Sequence, residues 1–345
     1  MATLIFGRNA SPRAPFCRIL RIRHGFRRNG APNVESKIGS GLDYDALTGG
    51  RKLRIAVTFN PNARNGRAAE DEAVAVRALT DLGVDFDLFK TSGPGDAISM
   101  AQGAAEQGYD VVCAMGGDGT VNEVINGIAG TGAALAVIPV GTGNDFSGSL
   151  GVPRGDVVAA CRILARGRKR PMDLCRVNDR YFACSFGAGF DARVCRAATE
   201  RFKRFGGIWT YVLALLSVIW SFRPAQMRIV ADGREISKSP MLVAVTNWKS
   251  IGGGMYICPD AEVDDGLFDV CIVDGVPILK FLYYFPRVIR GTHVTIPEVE
   301  MLKARSVQIS CSRMETYHVD GEVFEADHME LTLVPGGIDV VVGEV

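Results

Sequence analysis

The sequence predicts an α/β protein, with an N-terminal parallel-sheet domain followed by a mainly antiparallel β-sandwich domain. Three observations predict this. Apolar, β-branched runs alternate with helical spacings up to residue 140. Beyond Pro171 short strand-like runs follow one another with few helices between them. Two of the apolar runs end directly in glycine-rich turns. The 345 residues allow two or three domains. An apolar share of 47% and a charged share of 22% exclude a mostly disordered chain, a collagen-like chain and a coiled coil. With a net charge of +1 the chain lacks the field of a dedicated nucleic-acid binder, so no nucleic-acid partner is expected.

The elements follow in order. LRIAVTF (53–59) reads as a buried strand and stops at the turn cluster Asn60-Pro61-Asn62. Residues 67–82 have helical spacing, with Ala73, Val76, Leu79 and Leu82 on neighbouring turns. Residues 84–90 read as a strand, 94–107 as a helix carrying Ala97, Met100, Ala101 and Ala104, 110–115 as a strand, 120–129 as a helix and 134–140 as a strand. In the second half the strands are 172–177, 180–186, 226–231, 241–247, 267–273, 306–311 and 330–334. Asn178-Asp179 and Asp232-Gly233 are hairpin signals.

These readings give three domains. Residues 1–50 form a basic arm, with eight basic against three acidic residues. It reads as a disordered arm, as an organelle transit peptide or as residues upstream of the true start, the first and the last being favoured over the second. Residues 51–168 form the α/β domain and 169–345 the β-rich domain, whose last segment can return to the first. The boundary falls near 165–172, where a basic run precedes Pro171.

Nine scattered cysteines with no CxxC pair read as buried reduced thiols in a reducing compartment rather than a zinc ribbon. The apolar run 207–222 is short for a membrane span. It reads as a helix packed inside the protein, with a lipid-touching helix carrying Trp209 and Trp220 as the alternative.

Two loops carry the chemistry. Gly116-Gly117-Asp118-Gly119-Thr120 opens a helix containing Asn122 and Glu123, and Gly141-Thr142-Gly143-Asn144-Asp145 follows Pro139-Val140. Glycines let backbone N–H groups converge on an anion, and the helix starting near Thr120 adds its positive end. Thr120 and Thr142 can add hydroxyl donors, and Asp118 and Asp145 the carboxylates that a magnesium-bound triphosphate requires. Plain strand-to-helix turns are the competing structural reading. Two such loops, each with threonine and aspartate, favour phosphate binding. Neither matches GxxxxGK[ST], which disfavours a Walker-type NTPase.

At GGDGTVNEVINGI (116–128) and PVGTGNDFSGSLG (139–151) the chain resembles the catalytic domain shared by diacylglycerol kinases, sphingosine and ceramide kinases and the soluble bacterial lipid kinases. The similarity runs from about residue 52 to 342. It includes Asn60-Pro61, Thr91, Pro259-Asp260-Ala261, Asp264-Asp265-Gly266-Leu267 and Asp320-Gly321-Glu322. The first loop alone is shared with NAD kinases, whose layout of an α/β and a β domain is similar.

The resemblance implies an ATP- and Mg²⁺-dependent kinase acting on a hydroxyl of diacylglycerol or a related lipid. Asn60, Thr91, Gly116, Gly117, Asp118, Gly119, Thr120 and Thr142 would line the ATP site. Glu322 would be the general base. Asp118 and Asp145 would organise the catalytic magnesium and the reacting phosphate, and Glu262, Asp265 and Leu267 would hold a second, structural magnesium. Its substrate would lie at the membrane surface, which implies a cytoplasmic protein with transient peripheral membrane contact, unless the arm targets an organelle. An exposed sheet edge in the β half leaves a homodimer open.

The chain also departs from the family pattern. Ser147-Gly148 stands where Ala-Arg is common, and Ala63-Arg64-Asn65-Gly66 replaces Ser-Gly, with Arg64 or Arg67 as substitutes. These departures support an alternative, a catalytically weak lipid- or nucleotide-binding regulator. An NAD kinase-like enzyme is a further alternative, opposed by the GTGND loop and the 207–222 run. His318 reads as a half-buried strand residue, and no zinc site is expected.

Overall fold

The computed structural model describes residues 19–22, 53–66, 68–202, 207–251 and 254–343. The chain divides into two compact units. The first holds the described residues up to Gly141, together with Ser147–Arg170 and those from Asp339 on. The second holds Thr142–Phe146 and Pro171–Ile338. The expected basic arm lies outside the described residues except for 19–22, which form a strand.

The first unit begins with β1 (Ile19–Ile22), β2 (Ile55–Phe59), α1 (Ala68–Asp81), β3 (Phe86–Lys90), α2 (Asp96–Glu106), β4 (Val111–Gly116), α3 (Asp118–Ile128) and β5 (Ala134–Pro139). The short α4 (Asp145–Ser149) and α5 (Val157–Arg166) follow. The sheet order is β1-β3-β2-β4-β5. β2 pairs in parallel with β3 and β4, and β4 with β5, while β1 runs antiparallel on β3. At the far edge Val340 pairs in parallel with Leu135.

Every residue of β2, β4 and β5 is buried, which is why these strands read as nearly continuous apolar runs, Thr58 excepted, rather than alternating ones. α2 buries Ala97, Ala101 and Ala104 as its spacing predicts. α1 is a helix as predicted but turned: among its described side chains Ala68, Ala75 and Leu79 are buried, and Ala73 and, just past its end, Leu82 are exposed. At Gly127 a Cβ would stand 2.5 Å from the Ile98 carbonyl oxygen, so only glycine lets α3 pack this closely on α2.

The second unit contains β6 (Lys169–Val177), β7 (Arg180–Phe182), β8 (Ser185–Gly189), α6 (Phe190–Ala197), α7 (Gly207–Ile219), β9 (Met227–Ala231) and β10 (Arg234–Lys238). After these come β11 (Pro240–Thr246), β12 (Phe268–Asp274), α8 (Ile278–Ile289), β13 (Val299–Ala304), β14 (Ser306–Val319) and β15 (Glu322–Val341). Strands β15-β14-β8-β11-β12-β13 are neighbours in that order and pair antiparallel. β9 lies on β14 and carries β10.

Two-residue turns close β6 onto β7 at Asn178-Asp179 and β9 onto β10 at Asp232-Gly233, with positive φ at Asn178, Asp232 and Gly233. The sheet core includes Phe182, Phe186, Phe268 and Ile229. A second cluster forms under α6, α7 and α8, where Phe190 meets Phe222 and Phe281 edge-on at 5.3 and 5.2 Å. The structure thus adds helices α6 and α8 to this half and lengthens its last two strands. It also splits the expected 180–186 strand into β7 and β8.

Candidate active site

The first loop is built from backbone. β4 ends at Gly116 and α3 starts at Asp118, so Gly117 alone makes the turn. Each glycine has its own reason. A Cβ on Gly116 would stand 2.4 Å from the Thr120 Cβ, because Thr120 folds back over the strand end. A Cβ on Gly117 would stand 3.2 Å from the Gly141 Cα, so the two predicted turns meet here. The Val140 N–H donates to the Gly116 carbonyl at 3.0 Å and fixes that meeting. A Cβ on Gly119 would meet no protein atom within 4 Å, and φ there is not positive, so neither packing nor strain demands glycine. No side chain caps Gly117, leaving the start of α3 to other acceptors.

Asn60 joins the same corner. Its N–H donates to the Met115 carbonyl at 3.0 Å, its Oδ1 accepts from the Asn62 N–H at 3.0 Å, and its Nδ2 donates to the Thr120 Oγ1 at 3.2 Å. With Oγ1 accepting from Asn60, the Thr120 hydroxyl keeps its proton to donate. Thr91 is buried just past β3, its N–H donating to the Phe59 carbonyl at 2.9 Å. Glu123 ties α3 to the start of α2 by accepting from the Gly95 and Ala97 N–H groups at 3.0 and 3.1 Å. Arg64, a candidate substitute for the family's arginine, is paired with Asp71 at 3.1 Å, and Arg67 lies outside the described residues.

The remaining predicted residues belong to the second unit. Thr142 and Asp145 flank Asn144, whose φ is 55°. Phe146 anchors this stretch by stacking on the buried Trp248 with ring centroids 5.2 Å apart. Glu322 starts β15 immediately after a two-residue turn in which Asp320 and Gly321 both have positive φ. The turn is not plain. The Asp320 carboxylate accepts the N–H groups of Ala183, Cys184 and Ser185, each at 2.9 Å. That anchorage sits where the expected 180–186 strand breaks.

Sequence reasoning missed Arg180, which ion-pairs with Glu322 and lies over the Phe324 ring at 4.9 Å. Its only sequence signal is an arginine just past the Asn178-Asp179 turn. His318 is buried, with Nε2 3.3 Å from Asp191 Oδ2. A Cβ on Gly187 would collide with both groups, so glycine makes room for this pair.

The third predicted cluster lies on the 262–267 loop. Asp265 Oδ1 accepts the Leu267 N–H at 3.0 Å and its Oδ2 accepts from Lys303 Nζ at 2.7 Å. The buried Asp173 carboxylate holds the loop by accepting the Gly266 and Gly336 N–H groups at 2.7 and 2.8 Å. Asp269 faces Lys303 across the β12–β13 ladder. Burial pushes its carboxyl up to about 6, against the pull of Lys303 at 3.7 Å. Glu262 is exposed. Among the described residues no three His, Cys, Asp or Glu side chains are gathered as a metal cluster. The oxygen donors here suit a hard cation, with the Lys303 ammonium as its competitor.

None of the eight described cysteines is in a disulfide. Burial pushes the Cys161, Cys195 and Cys271 thiols up to about 12, so none is a poised thiolate.

Residues 54–177 match the model of the diacylglycerol kinase catalytic domain, and residues 184–342 match that of the YegS C-terminal NAD kinase beta sandwich-like domain. The diacylglycerol kinase of Bacillus subtilis is 32% identical over 271 residues, spanning 78% of this chain and 89% of that protein. That of Mycobacterium tuberculosis is 32% identical over 293 residues, spanning 83% and 94%. The chain belongs to the diacylglycerol kinase family.

A crystal structure of a diacylglycerol kinase from Bacillus anthracis has a TM-score of 0.70 at 26% identity, covering 85% of this chain and 97% of that one. Membership in this lipid kinase family agrees with the α/β sheet followed by an antiparallel β unit, and with both glycine turns falling inside the matched domains. No helix among the described residues is long and apolar enough to cross a membrane.

Proposed function

We propose that this chain transfers the γ-phosphoryl group of ATP to a hydroxyl of diacylglycerol or a related lipid such as a sphingoid or ceramide-like alcohol. The supporting observation is the meeting of Gly117 with Gly141 beside the uncapped start of α3. Backbone N–H groups, an open face at Gly119 and the Thr120 hydroxyl form a cradle suited to phosphate oxygens.

In this reading Asn60, Thr91, Gly116, Gly117, Asp118, Gly119, Thr120 and Thr142 bind the nucleotide. Asp118 and Asp145 would be the carboxylate partners of the Mg²⁺ that comes with ATP, which would supply positive charge to the phosphate oxygens. Glu322 accepts the proton of the lipid hydroxyl. The freed oxygen lone pair attacks the γ-phosphorus, whose bond to the bridging oxygen breaks to release ADP. Arg180 holds the Glu322 carboxylate in position. Glu262, Asp265 and the Leu267 carbonyl would hold a second Mg²⁺, which has to displace Lys303 from Asp265.

Incubation with labelled ATP, Mg²⁺ and diacylglycerol in detergent micelles tests the reading. Labelled phosphatidic acid that disappears with EDTA is the expected result. Its absence across diacylglycerol, sphingoid and ceramide substrates contradicts the proposal.

A further inference from the structure

The segments 207–224 and 275–293 hold α7 and α8 and contain Arg223, Lys280, Arg287 and Arg290 but no acidic residue. Both helices bury one face in the cluster around Phe190: Ala214, Leu215 and Ile219 from α7, and Phe281 from α8 with Leu282 and Phe285 packed against it. The opposite faces are also apolar.

Trp209 and Leu216 on α7, and Trp220 directly after its last residue, fall at helical spacing, with the two tryptophans 65% and 64% exposed. On α8 Leu279 and Tyr283 are 78% and 77% exposed, and Arg287 and Arg290 continue the same face toward the C-terminus. Large apolar groups left in water on two helices that share one buried cluster mark a contact surface. Lys280 is neutralised by Glu298. Arg223, Arg287 and Arg290 are exposed and have no ion pair among the described residues.

We infer that the outward faces of α7 and α8 dock on an anionic lipid bilayer surface, with Trp209, Trp220, Leu279 and Tyr283 at headgroup depth and Arg223, Arg287 and Arg290 meeting lipid phosphates. Two features select this occupant. Tryptophan and tyrosine at the edge of an apolar face are the side chains that settle at a membrane interface. Every charged side chain of the two segments is basic, so a second copy docking through the same segments would set like charges against each other. Each basic side chain near an anionic surface adds about fivefold to partitioning, so three add on the order of 100-fold.

The cleft of about 320 Å³ beside the end of α7 adds little to this. Two of its three arginines, Arg193 and Arg196, already pair with Glu315 and Glu325. The inference deepens the lipid-kinase reading by naming the surface that meets the substrate's membrane, yet its test needs no catalysis.

The full chain is mixed with vesicles of phosphatidylcholine alone or with phosphatidylglycerol added, and binding is read by co-sedimentation and by tryptophan emission. Two of the three tryptophans lie on this face and the third, Trp248, is buried. The expected result is a blue shift and pelleting with the anionic vesicles, on the order of 100-fold stronger than with phosphatidylcholine alone. Pelleting should be lost in Trp220→Ser/Leu279→Ser, and the anionic preference should be lost in Arg223→Ala/Arg287→Ala/Arg290→Ala.

Because residues 1–50 are also basic, the variants decide. Unchanged pelleting in both variants overturns the inference. So does a concentration-dependent wild-type dimer that Trp220→Ser/Leu279→Ser abolishes, which would assign the face to a second copy. Phosphorylation of a water-soluble short-chain diacylglycerol keeps the two readings apart. Its failure with vesicle binding intact removes the kinase reading alone, and its success without vesicle binding removes the docking face alone.

Discussion

In the first unit the Gly116–Thr120 turn is held by backbone and by the absence of side chains: Gly116 makes room for Thr120, Gly117 for Gly141, and Val140 closes the corner with one hydrogen bond. In the second unit the turn before Glu322 is held by charged side chains, with Asp320 accepting three N–H groups and Arg180 pairing with Glu322 itself. The contrast extends to the interiors. Among the described residues the buried polar side chains of the first unit are threonines, a serine and Asn122. The second unit buries Asp173, Asp269, Glu315, His293 and His318. The parallel sheet is almost wholly apolar, whereas the β unit buries acids against loop N–H groups, a lysine and an arginine.

Three variants separate these two ways of building a site. Glu322→Gln is expected to lower kcat by roughly 10²- to 10⁴-fold, the range for losing a general base. Its melting temperature should move little, since a partly exposed ion pair contributes at most about 1 kcal/mol. A normal turnover number would remove the second unit's turn from the chemistry.

Asp320→Ala comes next. Three N–H groups lose a charged acceptor, and alanine must adopt the positive φ of that position, so a stability loss of about 3 kcal/mol is expected in urea unfolding. An unchanged unfolding midpoint would show that the carboxylate does not hold the loop.

The smallest effect is on pH. His293 is buried with Nε2 3.0 Å from the Ile257 carbonyl and Nδ1 without a partner. Burial holds it below its ordinary value of 6.5. The unfolded chain therefore binds that proton more readily, so its contribution to stability is full above about pH 6.5 and is lost as pH falls below it. Asp269 works in the opposite sense between 3.8 and about 6, because its carboxyl is raised on folding. Comparing wild type with His293→Asn isolates the histidine: the variant should lose less stability between pH 7 and pH 5. Identical pH slopes would contradict this account.

The same contrast explains what could be read from the sequence. β2, β4 and β5 were legible because they are buried throughout and apolar but for Thr58 and the closing Gly116, and the Gly116–Thr120 turn was legible because a Cβ at Gly116 would collide with Thr120 and one at Gly117 would crowd Gly141. The face of α1 was misplaced because its buried positions are mostily alanines, which carry little periodic signal. In the second unit Arg180 and the role of Asp320 were illegible, since their partners lie 142 and 135 to 137 residues away. Helix α8 was missed because Pro277 stands at its start and Pro286 inside its last turn, and prolines so spaced read as breaks rather than as a helix.

The central claim is that the glycine turn of the first unit cradles the phosphates of ATP, and Gly119→Ala tests it most directly. In Gly116→Ala the new methyl collides with Thr120, so a loss of binding there would be uninformative. The methyl of Gly119→Ala meets no protein atom, and alanine inside the first turn of α3 should keep or raise stability by up to about 1 kcal/mol. Titration of Mg²⁺-ATP into both proteins is predicted to show at least about tenfold weaker binding by Gly119→Ala, a loss of ~1.4 kcal/mol, with an unchanged melting temperature. Equal affinity in the two proteins would contradict the account.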